Sequence, residues 1–193
     1  MSDVSTIVSD VFRLYEGPGH TGYLGEAVTK TEHSIQCAML AEQEGESDEV
    51  VLAAFLHDIG HLIGVSQGLP EMITGGVNIG TQKHDIIGGE YLRHKGFPDL
   101  VCDIVAGHVK AKRYLVLIED GYYENLSDAS KKTLVHQGGT MSAKEANEFE
   151  SSDTFDAIIR MRRWDELAKD TNVVHQPLYK YRHLCENVLS KNK

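Results

Sequence analysis

The stretch Val50-Val51-Leu52-Ala53-Ala54-Phe55-Leu56-His57-Asp58-Ile59-Gly60-His61 decides the fold. An uninterrupted apolar run ends in three polar groups able to bind metal or handle protons. A helix apolar on every face belongs in a core. Positions i and i+4 share a helix face, so the spacing predicts His57 and His61 on one side. Buried imidazole and carboxylate need partners, and the rest of the chain has to supply them.

Outward from that stretch the pattern is helical almost throughout. Residues 4–15 carry apolar positions at helical spacing and break at Gly17-Pro18-Gly19. Residues 31–44 form a helix ending at Gly45, and Ser47 caps the central one, with Asp48 and Glu49 in its first turn. Residues 84–95 stop at Gly96. Pro98 then opens a helix running through Val101, Ile104, Val105 and His108 toward Leu117. Ser127 caps a helix closed by Gly138-Gly139, and Ser142-Ala143-Lys144-Glu145 is a capping box. Residues 155–167 and 177–189 complete the set. Residues 62–83, with Gly64, Gly68, Pro70, Gly75, Gly76 and Gly80, read as a long active-site loop. No strand alternation or repeat is visible. The expected fold is an all-α helical bundle forming a single domain over residues 1–193.

Composition narrows the function. A net charge of −10 over 193 residues argues against general nucleic-acid binding, although a local basic pocket for a small anion is compatible with it. Hydrophobic content of 41% and charged content of 25% are those of a soluble globular protein. Cys37, Cys102 and Cys185 are unpatterned, which fits core thiols in a reducing compartment. The N-terminus has no signal-peptide pattern and no apolar run approaches a membrane span. These features give the expectation of a cytoplasmic protein without membrane or nucleic-acid partners.

Of ten histidines, His20, His94, His136, His175 and His183 sit among polar or loop residues and read as surface. His33, His57, His61, His84 and His108 sit at helix starts or on apolar faces. One such histidine is ordinarily a satisfied core residue; five beside Asp58 indicate metal. Imidazole with carboxylate and no placed thiolate suits iron, manganese or another first-row metal more than structural zinc. The count exceeds one tetrahedral site, while the spacing itself leaves one or two metals open. His108 and Lys112 are i and i+4, and Arg162 and Asp165 are i and i+3. A cation beside a metal ligand calls for an anion between them, such as a phosphate or phosphonate. The alternative is that both cations are surface charges or salt-bridge partners.

His33, His57-Asp58 and Asp165 resemble the H…HD…D signature of the HD-domain superfamily. The wider text is similar to the PhnZ-type organophosphonate oxygenases: Tyr23-Leu24-Gly25-Glu26-Ala27, Glu32-His33-Ser34, Leu56-His57-Asp58-Ile59-Gly60-His61, Gly107-His108-Val109-Lys110-Ala111-Lys112, Asn125-Leu126-Ser127-Asp128-Ala129-Ser130 and Arg163-Trp164-Asp165-Glu166. The resemblance implies a mixed-valent Fe(II)/Fe(III) dioxygenase. His33, His57, Asp58 and Asp165 are then expected to hold one iron, with Asp58 bridging to a second held by His84 and His108. Tyr23, backed by Glu26, is expected at the second iron's open position until substrate displaces it. His61, Lys112, Ser130 and Arg162 are expected to bind the phosphonate. The implied partners are O2 and a small organophosphonate. The implied reaction cleaves the C–P bond of (R)-1-hydroxy-2-(trimethylammonio)ethylphosphonate to glycine betaine and phosphate, or of the primary-amine analogue to glycine and phosphate. Competing readings are an HD-type metal-dependent phosphohydrolase and a non-catalytic metal- or ligand-binding HD module. Asn78, Gln82, Met72, Ile73 and Ile79 are expected near the amine end, and Cys37 to be a packing residue.

Overall fold

The computed structural model describes residues 3–23 and 26–192. Leu24 and Gly25, part of the stretch that suggested the oxygenases, lie outside the described residues.

Helix α3 (Asp48–Leu56) is the axis. The Ser47 hydroxyl accepts the Val50 N–H, Asp48 and Glu49 face the positive end, and every residue from Val50 to Leu56 is buried. Around it pack α2 (Lys30–Gln43), α6 (Asp99–Ile118), α10 (Phe155–Leu167) and α11 (Leu178–Lys191). Helix α2 begins with a full capping box, in which the Thr29 hydroxyl accepts from Glu32 N and the Glu32 carboxylate accepts from Thr29 N. Helix α1 (Val4–Glu16) reaches the axis through aromatic rings. Phe55 stacks on Tyr15 at 4.5 Å, Tyr181 at 5.0 Å and Phe12 at 5.6 Å, and the Tyr15 hydroxyl donates to the Phe55 carbonyl. These contacts join α1, α3 and α11 in one apolar core.

The axis does not continue through His57-Asp58. Asp58 has φ −100° and ψ 12°, and a new helix, α4 (Ile59–Gln67), starts after it. The expected common face for His57 and His61 is therefore lost; the two rings project from different helices. The segment Asp48–Gln67 also has the length and apolar composition of a membrane span, which the sequence reading denied it. The break divides it, and 83% of that stretch is buried inside the protein.

Residues 62–83 are not a loop. Six of them complete α4, which ends at Gly68 in the left-handed conformation. A hairpin follows, β1 (Glu71–Thr74) against β2 (Val77–Thr81), antiparallel, with a bulge between Glu71 and Ile73. Gly75 and Gly76, with φ of 59° and 78°, form the two-residue turn such hairpins favour. Met72 and Ile79 point inward while Ile73 and Val77 are exposed. Strands of four and five residues offer too little alternation to stand out among the glycines. The fold is thus helical with one small sheet. Helices α5 (His84–His94), α7 (Tyr122–Asn125), α8 (Asp128–His136) and α9 (Ala143–Glu150) complete it.

Two glycines let α4 approach its neighbours. A Cβ on Gly60 would lie 1.8 Å from the His84 carbonyl oxygen, and one on Gly64 would lie 2.0 Å from the Thr81 hydroxyl. Lys83, just before His84, takes a positive φ of 53°. The α4–α5 junction is therefore tight where it positions His84. Gly60→Ala should displace the His84 backbone and destabilise the fold by about 1–3 kcal/mol, read as a lower denaturation midpoint together with reduced metal content.

Candidate active site

Helix ends and one long helix bring six ligand-type side chains together. His33 comes from α2, His57 and Asp58 from the α3–α4 break, His84 from the start of α5, His108 from α6 and Asp165 from α10. All six are buried. Asp58 divides them. Its Oδ2 is 3.4 Å from His57 Nε2 and 3.9 Å from His33 Nε2, while its Oδ1 is 3.4 Å from His84 Nε2 and 3.5 Å from His108 Nε2. Asp165 Oδ1 joins the first group, 3.2 Å from His33 Nε2 and 3.9 Å from His57 Nε2.

The proton positions follow from the backbone. His33 Nδ1 lies 2.8 Å from the Ala168 carbonyl, His57 Nδ1 2.9 Å from Ala54 O and His108 Nδ1 2.8 Å from Val105 O. A carbonyl only accepts, so each Nδ1 carries the hydrogen and each neutral ring turns an Nε2 lone pair inward. His33 and His57 present these nitrogens 3.2 Å apart, and His108 presents its own 3.0 Å from Nε2 of His84, whose buried Nδ1 has no partner to fix its hydrogen. Asp58 Oδ2 is buried without a hydrogen-bond partner. Facing lone pairs around an orphaned carboxylate oxygen fit two cations, one in each group, with Asp58 shared. Without them the cluster has to hold protons. Burial disfavours charge on His57, but Asp58 and Asp165 outweigh it and push this imidazole up to about 9. Burial likewise opposes ionisation of Asp58, yet the surrounding histidines hold it well below the usual carboxylate range.

His61 is wired the opposite way. Its Nδ1 accepts the Thr81 backbone N–H at 3.0 Å. The neutral ring therefore carries its hydrogen on Nε2, 4.0 Å from Asp58 Oδ1, and burial brings it down to about 4. It stacks on His84 at 3.8 Å. His61 is a hydrogen-bond donor at this site and not a lone-pair ligand. The end of β2 holds it so, which is the hairpin's contribution here.

Beside the ligand cluster lies a cleft that Lys112, Arg162 and Lys169 line together with Asp58, His84, His108 and Asp165. Lys112 is buried and donates to the Thr133 hydroxyl at 2.9 Å. Burial, with the Arg162 guanidinium nearby, brings its ammonium down to about 7. Arg162, also buried, donates Nη1 to Asp165 Oδ2 and Nε to the Tyr122 hydroxyl at 3.0 Å, and Tyr122 in turn donates to Glu166. Both expected cations are thus buried in the cleft and not surface charges, while Arg162 is also the salt-bridge partner that the alternative allowed, of Asp165 and Glu166. Ser130 and Glu26 line it too. Glu26 accepts from Lys169 Nζ at 2.8 Å.

The Tyr23 ring lies flat on His33 at 3.9 Å, and its hydroxyl donates to Asp165 Oδ1 at 3.4 Å. Its ring thus sits against the first group of ligands, and it lines the same cleft as Asp58, His84 and His108 of the second. Cys37 is buried with its sulfur 3.8 Å from His33 Nε2; burial and the two aspartates push its thiol up, so it packs there protonated. Asn78 lines a groove beside His61 and Glu26, while Gln82 turns to the Glu71 carbonyl and Met72 is core. His20, His94, His136 and His183 are exposed and His175 half-buried. The sequence reading gave no role to Thr133, Gln137 or Lys169, which line the cleft, or to Tyr122 and Glu166 behind Arg162. Of these, Glu166 carried a spacing signal, four residues after Arg162 on the same helix.

A profile described as HD domain matches residues 31–168. A protein of Acanthamoeba polyphaga mimivirus, "Uncharacterized protein L432", is 41% identical over 192 residues, covering 100% of this chain and 86% of that one. The [1-hydroxy-2-(trimethylamino)ethyl]phosphonate dioxygenase (glycine-betaine-forming) of Leisingera caerulea is 34% identical, covering 96% and 92% of the two chains. The hydroxymethylphosphonate dioxygenase of Gimesia maris is 32% identical, covering 94% and 88%. The chain belongs to the HD-domain family, in its branch of PhnZ-type oxygenases.

Two outcomes follow from this geometry. Removing metal by chelation should lower the melting temperature by several degrees, since it leaves buried lone pairs facing one another. Asp58→Asn should lose both metals by elemental analysis, and His108→Ala one of two. Separately, Lys112 loses its proton as pH rises through about 7, whereas an arginine there stays charged. The ratio of wild-type to Lys112→Arg affinity for inorganic phosphate should therefore fall above that pH, as measured by calorimetry.

Proposed function

We propose that the protein is an O2-dependent enzyme that oxidatively cleaves the C–P bond of a 1-hydroxyalkylphosphonate on a mixed-valent Fe(II)/Fe(III) pair. One observation carries this reading: Asp58, Asp165, His84 and His108 of the ligand cluster line the same cleft as the buried Lys112 and Arg162. Metal alone suits many hydrolases. Two buried cations beside it, Lys112 and Arg162, call for a substrate whose oxygens form an anionic cluster.

In this reading His33, His57, Asp58 and Asp165 hold one iron, and Asp58, His84 and His108 hold the other. Bound there, the pair supplies Lewis acidity and electron exchange with O2. The chain's own residues do the rest. Lys112, Arg162, Ser130 and the Nε2–H of His61 bind phosphonate oxygens and fix C1 in front of the ligand cluster. Arg162 also anchors Asp165, so phosphonate binding and ligand geometry share one guanidinium. Tyr23 covers the first ligand group and yields to substrate. In the overall change C1–H and C1–P break. One molecule of 1-hydroxyalkylphosphonate and one of O2 become one carboxylate, one phosphate and a proton.

The favoured substrate is (R)-1-hydroxy-2-(trimethylammonio)ethylphosphonate, giving glycine betaine. Support comes from the Leisingera caerulea relative and from Glu26, the one carboxylate lining the cleft outside the ligand set. The primary-amine analogue, giving glycine, is the alternative at that same carboxylate. A second reading, a substrate without a cation, is favoured by the Lys169–Glu26 ion pair, which already neutralises Glu26; the Gimesia maris relative is named for such a substrate.

The test is to load the protein with iron under low oxygen and record the electron paramagnetic resonance of a coupled Fe(II)/Fe(III) pair. O2 uptake and phosphate release are then followed with trimethylammonio-, amino- and unsubstituted hydroxyphosphonates. The expected outcome is equal O2 consumption and phosphate release, fastest with the trimethylammonio substrate. Phosphate release from a phosphate ester without O2 uptake would return the protein to the hydrolases.

A further inference from the structure

Arg162 serves two groups, the ligand Asp165 and the anion in the cleft. An arginine side chain is long and rich in rotamers, so something has to fix its guanidinium. Its nitrogens can be counted. Nη1 donates to Asp165 Oδ2, one turn along the same helix, and Nε donates to the Tyr122 hydroxyl at 3.0 Å. Among the described residues Nη2 has no hydrogen-bond partner, which leaves it for a ligand in the cleft that Arg162 lines. The other oxygen of Asp165, Oδ1, lies 3.2 Å from His33 Nε2. Turning the guanidinium would therefore move the Asp165 carboxylate and the anion contact together.

Tyr122 comes from α7, 40 residues away in the chain. The direction of its bonds follows from the groups involved. Arginine only donates and a carboxylate only accepts, so the hydroxyl gives its one hydrogen to Glu166 and turns a lone pair to Arg162 Nε. The ring has its own seat. It is buried in the apolar core, with the Arg163 guanidinium 5.4 Å from its centre. Tyr122 lines a separate pocket that shares Arg162 with the cleft.

Taking the phosphonate reading above as its basis, we infer that Tyr122 is a positioning residue: its hydroxyl holds Arg162 so that one guanidinium orients both the ligand Asp165 and the bound phosphonate. Tyr122 itself touches neither. Glu166 Oε1 lies 3.3 Å from Arg162 Nε. Relieved of the hydroxyl, this carboxylate is free to take the guanidinium through two N–H groups and draw it off Asp165.

The experiment uses iron-loaded protein without O2. Inorganic phosphate is titrated calorimetrically against the wild type, Tyr122→Phe, Arg162→Lys and the double variant. The electron paramagnetic resonance of the iron pair is recorded before phosphate is added. Tyr122→Phe keeps the buried ring and removes only the hydroxyl. The expected result is about tenfold weaker phosphate binding and a shifted resonance, at unchanged iron content and nearly unchanged melting temperature. Lysine has no Nε to hold, so adding Tyr122→Phe to Arg162→Lys should alter phosphate affinity by no more than about twofold. A packing role alone would lower the melting temperature and leave resonance and affinity in place. Unchanged phosphate affinity or an unmoved resonance in folded Tyr122→Phe would overturn the inference, as would an equal loss of affinity in both backgrounds. If Tyr122→Phe fails to fold, Glu166→Gln, which weakens the acceptor of the Tyr122 hydroxyl, goes through the same cycle under the same criteria. If the wild type shows no coupled resonance and cleaves no phosphonate, the C–P cleavage reading fails, and the calorimetric cycle alone decides the role of Tyr122.

Discussion

A buried carboxylate between two pairs of imidazoles is the constraint on which the rest of the structure depends. Asp58 has one oxygen toward His57 and His33 and the other toward His84 and His108. Burying that much polar surface is tolerable only if nearly every atom is used. The protein meets part of the condition with carbonyls at helix ends and leaves Asp58 Oδ2 and His84 Nδ1 without a partner. Ala54 O and Phe55 O, left over at the C-terminus of α3, go to His57 Nδ1 and the Tyr15 hydroxyl, and Ala168 O, at the end of α10, goes to His33 Nδ1. Helix termini that elsewhere need caps are satisfied here by the ligand rings. Site and helix boundaries are one structure.

The same logic sorts the histidines chemically. A ring that donates at Nδ1 to a carbonyl offers a lone pair at Nε2; a ring that accepts at Nδ1 from an amide offers a hydrogen there. His33, His57 and His108 are of the first kind and His61 of the second. Residue type and spacing carry none of this, because the deciding partner of His61 is the backbone N–H of Thr81, at the end of a hairpin. The hairpin reaches α4 only because Gly64 has no side chain to block Thr81.

This accounts for how far the sequence could be read. Helices with strong local signals were legible: Ser47 before the run from Val50, the Thr29/Glu32 and Ser142/Glu145 boxes, and Gly138-Gly139 after α8 all act as the pattern indicates. The apolar run beside His57-Asp58 marked the centre of the molecule. The i, i+4 spacing of His57 and His61 misled, because the chain stops being helical at Asp58, where the shared ligand requires it. Nothing local signals that break. The hairpin was hidden by its glycines, which serve both as turn residues and as points of close approach. Asp165 and Arg162 were found as a pair by spacing. Tyr122 and Thr133 act through contacts between helices far apart in sequence, with Arg162 and Lys112, and no periodicity encodes such contacts.

Electrostatics then connects the site to the choice of substrate. The chain carries a net charge of −10, yet Lys112, Arg162 and Lys169 converge on one cleft. Two are buried at a desolvation cost visible in the lowered Lys112 pKa. They are not equivalent. Arg162 is locked by Asp165, Tyr122 and Glu166, and Lys112 by Thr133, so neither can follow a substrate. Lys169 is partly exposed, lies just beyond the end of α10 and is held by Glu26 and more weakly by Ser127. On the proposed reading, a substrate bearing its own cation competes with Lys169 for Glu26, and the displaced ammonium is then free to face the phosphonate. A substrate without a cation leaves the pair intact. On the proposed reading the charge of the substrate and the position of Lys169 are therefore coupled, while Lys112 and Arg162, held by their own partners, stay in place in either case.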